Sequence, residues 1–213
     1  MVKVAVVGVG YWGPNFVRIL DELPDSHLVA VCDSDSKKLE KLAGLYPHVD
    51  FTDNLDTLLD GDRIDAFVVA TGSDSHFEVA RKCLLAGKHA LVEKPLALSS
   101  SDASELVKIA EKGSRVLLVG HLLRYHNGVV KLREYIEEGY LGKVLYVYTT
   151  RVNLGKIRKE ESALWSFATH DISLVNYLLG GEPQYVTAAG QAYVRARRSK
   201  LLSSSHLFSE ETS

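Results

Sequence analysis

Three glycines near the N-terminus have the spacing of a turn that binds a dinucleotide. They lie in the sequence Gly8-Val9-Gly10-Tyr11-Trp12-Gly13, which follows a short apolar run and precedes a segment of helical character. In this context the first glycine permits a tight turn, the second lets a pyrophosphate approach the backbone, and the third lets helix and strand pack closely. The N-terminus of the helix then offers N–H groups to phosphate oxygens. An ordinary strand-to-helix turn is the alternative interpretation.

An acidic residue, Asp33, ends the next apolar run, twenty residues after Gly13. A carboxylate at this place can accept hydrogen bonds from the adenosine ribose hydroxyls and repels the 2′-phosphate of NADP. NAD is therefore the predicted cofactor. NADP is the less favoured alternative, which Lys37 and Lys38 keep open because they lie close in sequence.

A charged triplet, Glu93-Lys94-Pro95, follows a later apolar run. If that run is a parallel strand, the triplet lies at the carboxyl end of the strand, where open α/β sheets bind their ligands. A surface lysine without a function is the alternative interpretation of Lys94 taken alone.

The first 122 residues alternate apolar runs with segments of helical period, which predicts parallel strands joined by crossover helices. The runs are short and rich in β-branched residues, as in strands buried on both faces. The fold class is therefore α/β, with a doubly wound Rossmann sheet in residues 1–122. The predicted strands are Val2–Val7, Leu28–Cys32, Ala66–Ala70, Ala90–Val92 and Val116–Val119. Helices are predicted after Gly13, after Asn54, and over Lys37–Ala43, Ser75–Ala86 and Ser101–Lys112.

Residues 123–194 have a different pattern, which predicts an incomplete α+β domain with a mostly antiparallel sheet. Helices are predicted over Asn127–Glu138 and Ser166–Leu179, and strands over Lys143–Val152 and Tyr185–Val194. The long strand alternates between two different faces, as antiparallel strands do. Residues 195–213 show neither period, so a disordered or non-native tail is predicted there.

Composition excludes several classes of protein. The net charge of −2 gives no basic field for nucleic acid, and no apolar run is long enough to cross a bilayer. The N-terminal apolar run leads directly into Gly8 without a cleavage site, so a first strand is predicted rather than a signal peptide. Cys32 and Cys83 lack metal-ligand spacing and are predicted to be buried, reduced thiols of a cytoplasmic protein. No metal site is predicted.

Two further blocks extend the pattern: Ala70-Thr71-Gly72-Ser73-Asp74-Ser75-His76, and the run from Ala86-Gly87-Lys88-His89 to Pro95. With the glycine turn they resemble the glucose–fructose oxidoreductase/inositol dehydrogenase (Gfo/Idh/MocA) family, over residues 1 to about 194. The resemblance implies that Lys94 lies between nicotinamide and substrate, and that the peptide bond before Pro95 is often cis. It also implies an NAD site lined by residues of the glycine turn and of the matching segments, namely Gly8, Gly10, Tyr11, Trp12, Gly13, Asp33, Thr71, His76, Glu93 and Lys94.

Two finer blocks, Gly10-Tyr11-Trp12-Gly13-Pro14-Asn15 and Leu164 to Ser173, resemble a subgroup within this family. Its members oxidise the 3-hydroxyl of UDP-linked N-acetylhexosamines or their uronates and serve the biosynthesis of nucleotide sugars and surface polysaccharides. The resemblance therefore implies a nucleotide-sugar dehydrogenase. A dehydrogenase of a free sugar or inositol is the alternative substrate class.

The resemblance assigns the chemistry to Lys94 and His170. A histidine can accept the hydroxyl proton near neutral pH, and a lysine ammonium can stabilise the developing alkoxide. Many family members have an aspartate four residues before this histidine, where this chain has Ser166. Asp171 points about 100° away around a helix and is a poor replacement, so a Lys94/His170 pair is expected rather than a triad. The predicted substrate contacts are Lys94, Arg124, Tyr125, Asn153, Arg158 and His170.

The resemblance also implies a longer protein. Family members have over 300 residues, and the second-domain sheet builds a homo-oligomer; a chain of 213 residues has room for two of those strands. Truncation at the C-terminus is therefore predicted, which puts the homo-oligomer in doubt for this chain. A truncated NAD-binding protein without catalysis is the alternative from another class.

Overall fold

The computed structural model describes residues 1–152, 164–181 and 183–189, together with the backbone of the short strand His206–Leu207. The chain divides into an N-terminal unit, Met1–Gly120, and a C-terminal unit that begins at His121. The boundary proposed from the sequence, 122, lies just inside the second unit.

The N-terminal unit is built on a six-stranded parallel sheet of order β3-β2-β1-β4-β5-β6. This is the doubly wound α/β sheet that the sequence predicts. The first strand is central, and each neighbour pairs with it or with a strand already beside it. The strands are β1 Val2–Val7, β2 Ser26–Cys32, β3 Asp50–Thr52, β4 Ala66–Val69, β5 His89–Val92 and β6 Leu117–Val119.

Five helices connect these strands, and local signals fix where several of them begin. The side chain of Asp35 accepts a hydrogen bond from the Lys37 amide, and that of Ser99 accepts one from the Asp102 amide, so each satisfies an otherwise unpaired N–H group. Pro14 occupies the first turn of α1, where a missing N–H costs nothing. The helices are α1 Gly13–Glu22, α2 Ser36–Ala43, α3 Asp56–Leu59, α4 His76–Leu85 and α5 Ser100–Lys112.

Both faces of the central strand are buried, which requires apolar layers on the two sides of the sheet. Val4 and Val6 of β1 belong to one core cluster, whereas Ala5 and Val7 belong to another. Successive side chains of a strand point to opposite faces, so this division follows directly from the continuous apolar run. Burial of these layers is the main force that holds the carboxyl ends of the strands in place.

Two details of the sheet differ from the sequence predictions. Strand β3, Asp50–Thr52, was not predicted, because a three-residue strand with one apolar residue carries no detectable period. Strand β6 was predicted to be buried on both faces, and this is wrong: Leu118 is 42% exposed. Strand β6 is the last strand of the sheet that the described residues form.

The C-terminal unit begins with a 3₁₀ turn over Leu122–Tyr125, followed by helix α6, Asn127–Glu137. A π-helical turn over Leu164–Ala168 leads into helix α7, Thr169–Leu179, which ends at Gly180 with a φ of +69°. Strands β7, Val186–Thr187, and β8, His206–Leu207, pair in antiparallel fashion. The second of these short strands lies in the segment that the sequence predicts as a tail; the rest of 195–213 lies outside the described residues.

The predicted strand Lys143–Val152 is wrong: the structure has no strand there. A strand requires hydrogen bonds to a neighbour, and no described strand pairs with this segment. Its side chains alternate in character as predicted, but Leu145, Tyr146 and Tyr148 are each more than 80% exposed. Alternation alone therefore identified a sequence suited to a sheet, not a strand with a partner.

Candidate cofactor site and residues of the C-terminal unit

The residues of the predicted cofactor site gather at the carboxyl edge of the sheet. Gly8 follows β1, Asp33 follows β2, Thr71 follows β4 by two residues, and Glu93 follows β5. Parallel strands end on the same side of the sheet, so a single topology brings these separate segments to one edge. The loops are also joined by the sheet ladder, because the amide of Ala70 donates to Val7 O at 2.7 Å.

Gly8 and Gly13 are required by close packing. A Cβ atom at Gly8 would lie 2.6 Å from the Thr71 amide nitrogen, and Gly8 has a φ of +93°, which side chains rarely adopt. A Cβ atom at Gly13 would lie 2.0 Å from Gly8 O. The backbones of the loops after β1 and β4 therefore touch at Gly8, and the helix α1 touches the turn at Gly13.

Gly10 differs from both of these glycines because a Cβ atom there would meet nothing within 4 Å. This open space lies in the turn that leads into α1, whose first N–H groups lack partners within the helix. This is the geometry that the glycine fingerprint requires for a pyrophosphate. The shape of the turn is therefore suited to a dinucleotide. Beside it, Tyr11 and Trp12 stack with ring centroids 6.4 Å apart, and Tyr11 is 87% exposed.

Asp33 is almost fully buried and is fixed by backbone donors. Its Oδ2 accepts from the Val9 amide at 2.7 Å, and its Oδ1 accepts from the Asp35 amide at 2.9 Å. Lys38 Nζ lies 3.4 Å from Oδ1. A carboxylate oxygen has two acceptor sites, so Oδ2 retains one for a ribose hydroxyl. Lys38 offsets part of the negative charge that would repel a 2′-phosphate.

Thr71 and His76 are both present at this edge, but the structure gives His76 no surface for a ligand. The His76 ring is 2% exposed, and its nitrogens lie 2.7 Å from Pro95 O and 3.2 Å from Thr71 O. The ring therefore contacts the two loops that flank the site. Thr71 is half-buried, and its Oγ1 accepts a hydrogen bond from Ser75 Oγ at 2.8 Å.

Glu93 is a half-buried carboxylate at the end of β5. Its Oε2 accepts from the Lys94 amide at 3.1 Å, whereas its Oε1 is buried and has no hydrogen-bond partner among the described residues. Burial raises the pKa of this carboxyl, against smaller lowering effects of the Lys94 amide bond, of the Lys94 charge and of His76. Such an unsatisfied buried oxygen fits a site that receives a hydroxyl or amide donor from a ligand.

Gly120, which the sequence reasoning did not single out, forms the other wall around Glu93. A Cβ atom at Gly120 would lie 3.0 Å from Glu93 Oε1, and the Gly120 amide donates to Val92 O at 2.8 Å. The available signal was a glycine directly after the last strand predicted within residues 1–122. The sequence does not show, however, that this strand pairs with β5.

Replacing Glu93 by glutamine is expected to stabilise the fold at neutral pH, since the neutral amide keeps an acceptor for the Lys94 amide and removes a buried charge. The folded-state pKa of Glu93 is raised, so its folded form holds the proton more tightly than the unfolded chain. Its contribution to stability is fully present below the ordinary pKa and is lost as the pH rises through the folded pKa. Melting temperatures of the two proteins should therefore diverge with rising pH. A constant difference between pH 4 and pH 8 would contradict this account.

In the C-terminal unit, His170 is the second residue of α7 and is half-buried. The sequence predicts one regular helix over Ser166–Leu179, and this is wrong at its start, because Ser166 lies in the π-helical turn. The spacing of four residues therefore does not place Ser166 and His170 on one α-helical face. Asp171 is held by Arg151, whose Nε and Nη2 donate to it at 3.0–3.2 Å, so this carboxylate already has a cationic partner.

The predicted substrate contacts of this unit are only partly described. Arg124 is exposed and lies over the ring of Tyr177 at 4.8 Å, which fixes its guanidinium by a cation–π contact. Tyr125 is 68% exposed. Asn153 and Arg158 lie outside the described residues.

Among the described residues, no group of three or more His, Cys, Asp or Glu side chains is arranged to hold a metal ion. Cys32 and Cys83 are free and buried, as predicted, and burial raises the pKa of Cys32 to about 11 and that of Cys83 to about 12. Within the described part of the chain, no helix combines the length and apolar character needed to span a bilayer.

Comparison with protein-family models identifies both units. Residues 2–121 match the oxidoreductase family with an NAD-binding Rossmann fold, and residues 129–206 match the GFO/IDH/MocA C-terminal domain. The second match extends into the segment 195–213 that the sequence predicts as a tail.

Individual relatives agree with this assignment. The chain is 31% identical to 2,7-anhydro-N-acetylneuraminate hydratase of Mediterraneibacter gnavus, over 87% of this chain and 51% of the relative. It is 28% identical to inositol 2-dehydrogenase of Salmonella paratyphi B, over 83% and 54% of the two chains. Among solved structures, GenD2 from gentamicin A biosynthesis, in complex with NAD, superposes with a TM-score of 0.79 at 26% identity, covering 92% of this chain and 58% of that one. The chain thus spans about half the length of the curated relatives it matches.

Proposed function

Since this chain belongs to the Gfo/Idh/MocA family of NAD-binding oxidoreductases, we propose that it oxidises a secondary hydroxyl of a sugar with NAD. The observation that carries the proposal is the position of Lys94. It follows β5 at the carboxyl edge of the sheet, next to the unsatisfied Glu93 Oε1 and on the same edge as the open space at Gly10. An ammonium group beside a dinucleotide site suits the stabilisation of an alkoxide.

Different residues of this chain then bind the cofactor, stabilise charge on the substrate oxygen and accept its proton. NAD, when bound, would supply the acceptor for the hydride of the carbinol carbon. Gly10 and the first turn of α1 would hold its pyrophosphate, and Asp33 Oδ2 would accept a hydrogen bond from a ribose hydroxyl. Lys94 donates a hydrogen bond to the substrate oxygen and stabilises its developing negative charge, and His170 takes the hydroxyl proton.

As substrate we propose a UDP-linked N-acetylhexosamine or its uronate, oxidised at the 3-hydroxyl. The sequence blocks at Gly10–Asn15 and Leu164–Ser173 support this class, and Arg124 adds a cation at the surface of the C-terminal unit. A guanidinium is suited to the phosphate or carboxylate of such a substrate. The product would be a 3-keto sugar nucleotide.

A free cyclic polyol is the second candidate, and one observation favours it. Several relatives that match over 83% or more of this chain are named inositol 2-dehydrogenase. An uncharged polyol would make no use of Arg124, so the two substrate classes differ in what the C-terminal unit must provide.

The test is a spectrophotometric assay of NADH formation with NAD and a panel of substrates. The panel contains UDP-N-acetylglucosamine, UDP-N-acetylglucosaminuronate, glucose and myo-inositol. We expect turnover with the UDP sugars and none with inositol. Turnover with inositol alone would replace the proposed substrate by the second candidate. Thermal shift with NAD runs in parallel, because a ligand of the native state must raise the melting temperature.

Two relatives are named 2,7-anhydro-N-acetylneuraminate hydratase, and a net hydration would not accumulate NADH. The panel therefore includes 2,7-anhydro-N-acetylneuraminate, with products followed by mass spectrometry. Binding of NAD without turnover of any substrate would identify a chain that binds the cofactor and lacks catalysis. That outcome would reject the proposed function.

A further inference from the structure

The buried ring of His76 lies between the loop after β4 and the loop after β5 and contacts both of them. Its Nδ1 lies 2.7 Å from Pro95 O in the loop after β5, and its Nε2 lies 3.2 Å from Thr71 O in the loop after β4. The ring is 2% exposed. Both contacts are to backbone oxygens, so they depend on the paths of the two loops and not on side-chain choice.

The two partners specify the protonation of the ring. A carbonyl oxygen only accepts hydrogen bonds, whereas a neutral imidazole has one N–H group and one lone pair. A neutral ring would therefore direct a lone pair at one of the two carbonyl oxygens. Only the doubly protonated ring can donate in both directions, and hydrogen bonds from a charged donor are the stronger kind.

The charged surroundings are compatible with a cationic ring. Burial raises the pKa of Glu93, and a charge on His76 is the smallest of the effects that lower it. The other charged groups on the segments around the ring are Lys94 beside Glu93, Asp74 in the loop after β4, and Glu78, Arg81 and Lys82 on α4. The two carbonyl oxygens that accept from the ring offset part of the cost of burying its charge.

The contacts of the two loops show what the ring controls. Pro95 directly follows Lys94, and the backbone of Thr71 touches Gly8 in the glycine turn. We propose that His76 is a positioning residue whose doubly protonated ring holds the Lys94–Pro95 backbone against the Thr71 loop, and so fixes Lys94 relative to the cofactor turn. The expected change in kcat rests on the proposed function, whereas the protonation state of the His76 ring does not.

The first experiment reads the ring directly. Protein with nitrogen-15-labelled histidine is recorded by NMR near pH 7, and the His76 signals are assigned with the variant His76→Gln. Protonation of both ring nitrogens is the expected result. A neutral ring with one protonated nitrogen overturns the proposal, whether or not the protein turns over any sugar.

The second experiment uses His76→Gln, which can fill the space and donate to only one of the two carbonyl oxygens. A displacement of reacting groups by about 1 Å can lower a rate by about a hundredfold, so we expect kcat to fall between about tenfold and a hundredfold. KM for the substrate should stay within about threefold. The matched control is His27→Gln, which changes an exposed histidine of β2.

The two experiments separate the possible failures. A doubly protonated ring with unchanged kcat in His76→Gln would overturn the positioning role. If His76→Gln does not fold, the NMR spectrum of the unaltered protein, assigned through the remaining histidines, still decides the state of the ring. Absence of activity in the unaltered protein would reject the proposed function, while the ring state remains measurable.

Discussion

Replacing Lys94 by alanine is expected to lower kcat by about a hundred- to a thousandfold while the affinity for NAD stays within a few-fold. The ammonium group is proposed to stabilise charge that develops on the substrate oxygen, and loss of one such donor typically costs this much. The cofactor contacts proposed at Gly10 and Asp33 are left in place. The measurement is steady-state NADH formation, with NAD binding determined separately by titration calorimetry.

Two companion variants make this result specific. Lys94→Arg keeps the charge on a larger, differently shaped group and should recover only a small part of the rate. Lys112→Ala removes an exposed lysine at the end of α5 and should leave kcat unchanged. If Lys94→Ala retained more than about a tenth of the activity, Lys94 would not be the group that stabilises the alkoxide.

The glycine turn gives a second large effect, in which two neighbouring substitutions separate folding from binding. Gly13→Ala places a Cβ atom 2.0 Å from Gly8 O, so the turn and α1 must move apart. Overpacking of this kind costs about 1–3 kcal/mol, and we expect the melting temperature to fall by about 5 °C or more. Gly10→Ala meets nothing within 4 Å and has no positive φ, so the unliganded protein should melt within about 1 °C of the unaltered chain.

For NAD binding, in contrast to stability, Gly10→Ala is expected to have the larger effect of the two substitutions. The methyl group at position 10 would occupy the space proposed for the pyrophosphate, so Gly10→Ala should weaken NAD binding by about tenfold or more. Gly44→Ala is the control, since Gly44 also has open space around it and lies at the end of α2. Calorimetric NAD affinity and melting curves with and without NAD measure both effects. Unchanged NAD affinity in Gly10→Ala would remove the pyrophosphate from this turn.

Most of the N-terminal unit could be predicted from the sequence, because its central strands are buried on both faces and two of its helices begin at a capping side chain. Val2–Val7 is recovered with its bounds, since no turn signal interrupts the run before Gly8. The short strand β3 was not predicted, because its pairing with β2 and not its own composition makes it a strand. Lys143–Val152 failed for the opposite reason: its composition suits a strand, but pairing is a property of two segments.

The residues of the site also differ in whether neighbours in the sequence or contacts between distant segments determine their positions. The positions of Gly8 and Gly13 in the turn and of Asp33 at the end of β2 could be predicted, because neighbouring residues in the sequence determine them. The resemblance placed His76 in the cofactor lining, but the sequence does not show that its ring is enclosed between carbonyl oxygens of Thr71 and Pro95. The salt bridge between Asp171 and Arg151, which lie twenty residues apart, could likewise not be predicted from the sequence. Contacts made by folding, rather than by local pattern, decide the roles of these side chains.

The strand order has a consequence for how the protein is made. Of the six strands of this sheet, β1 is translated first; β2 and then β3 add to one side of it, followed by β4, β5 and β6 on the other. Every new strand therefore joins a free edge of the sheet, and none has to enter between two strands already paired. The N-terminal unit can thus assemble outward during synthesis, in the order of translation. Its last step is the arrival of β6, which brings Gly120 against Glu93 and closes the wall around that carboxylate.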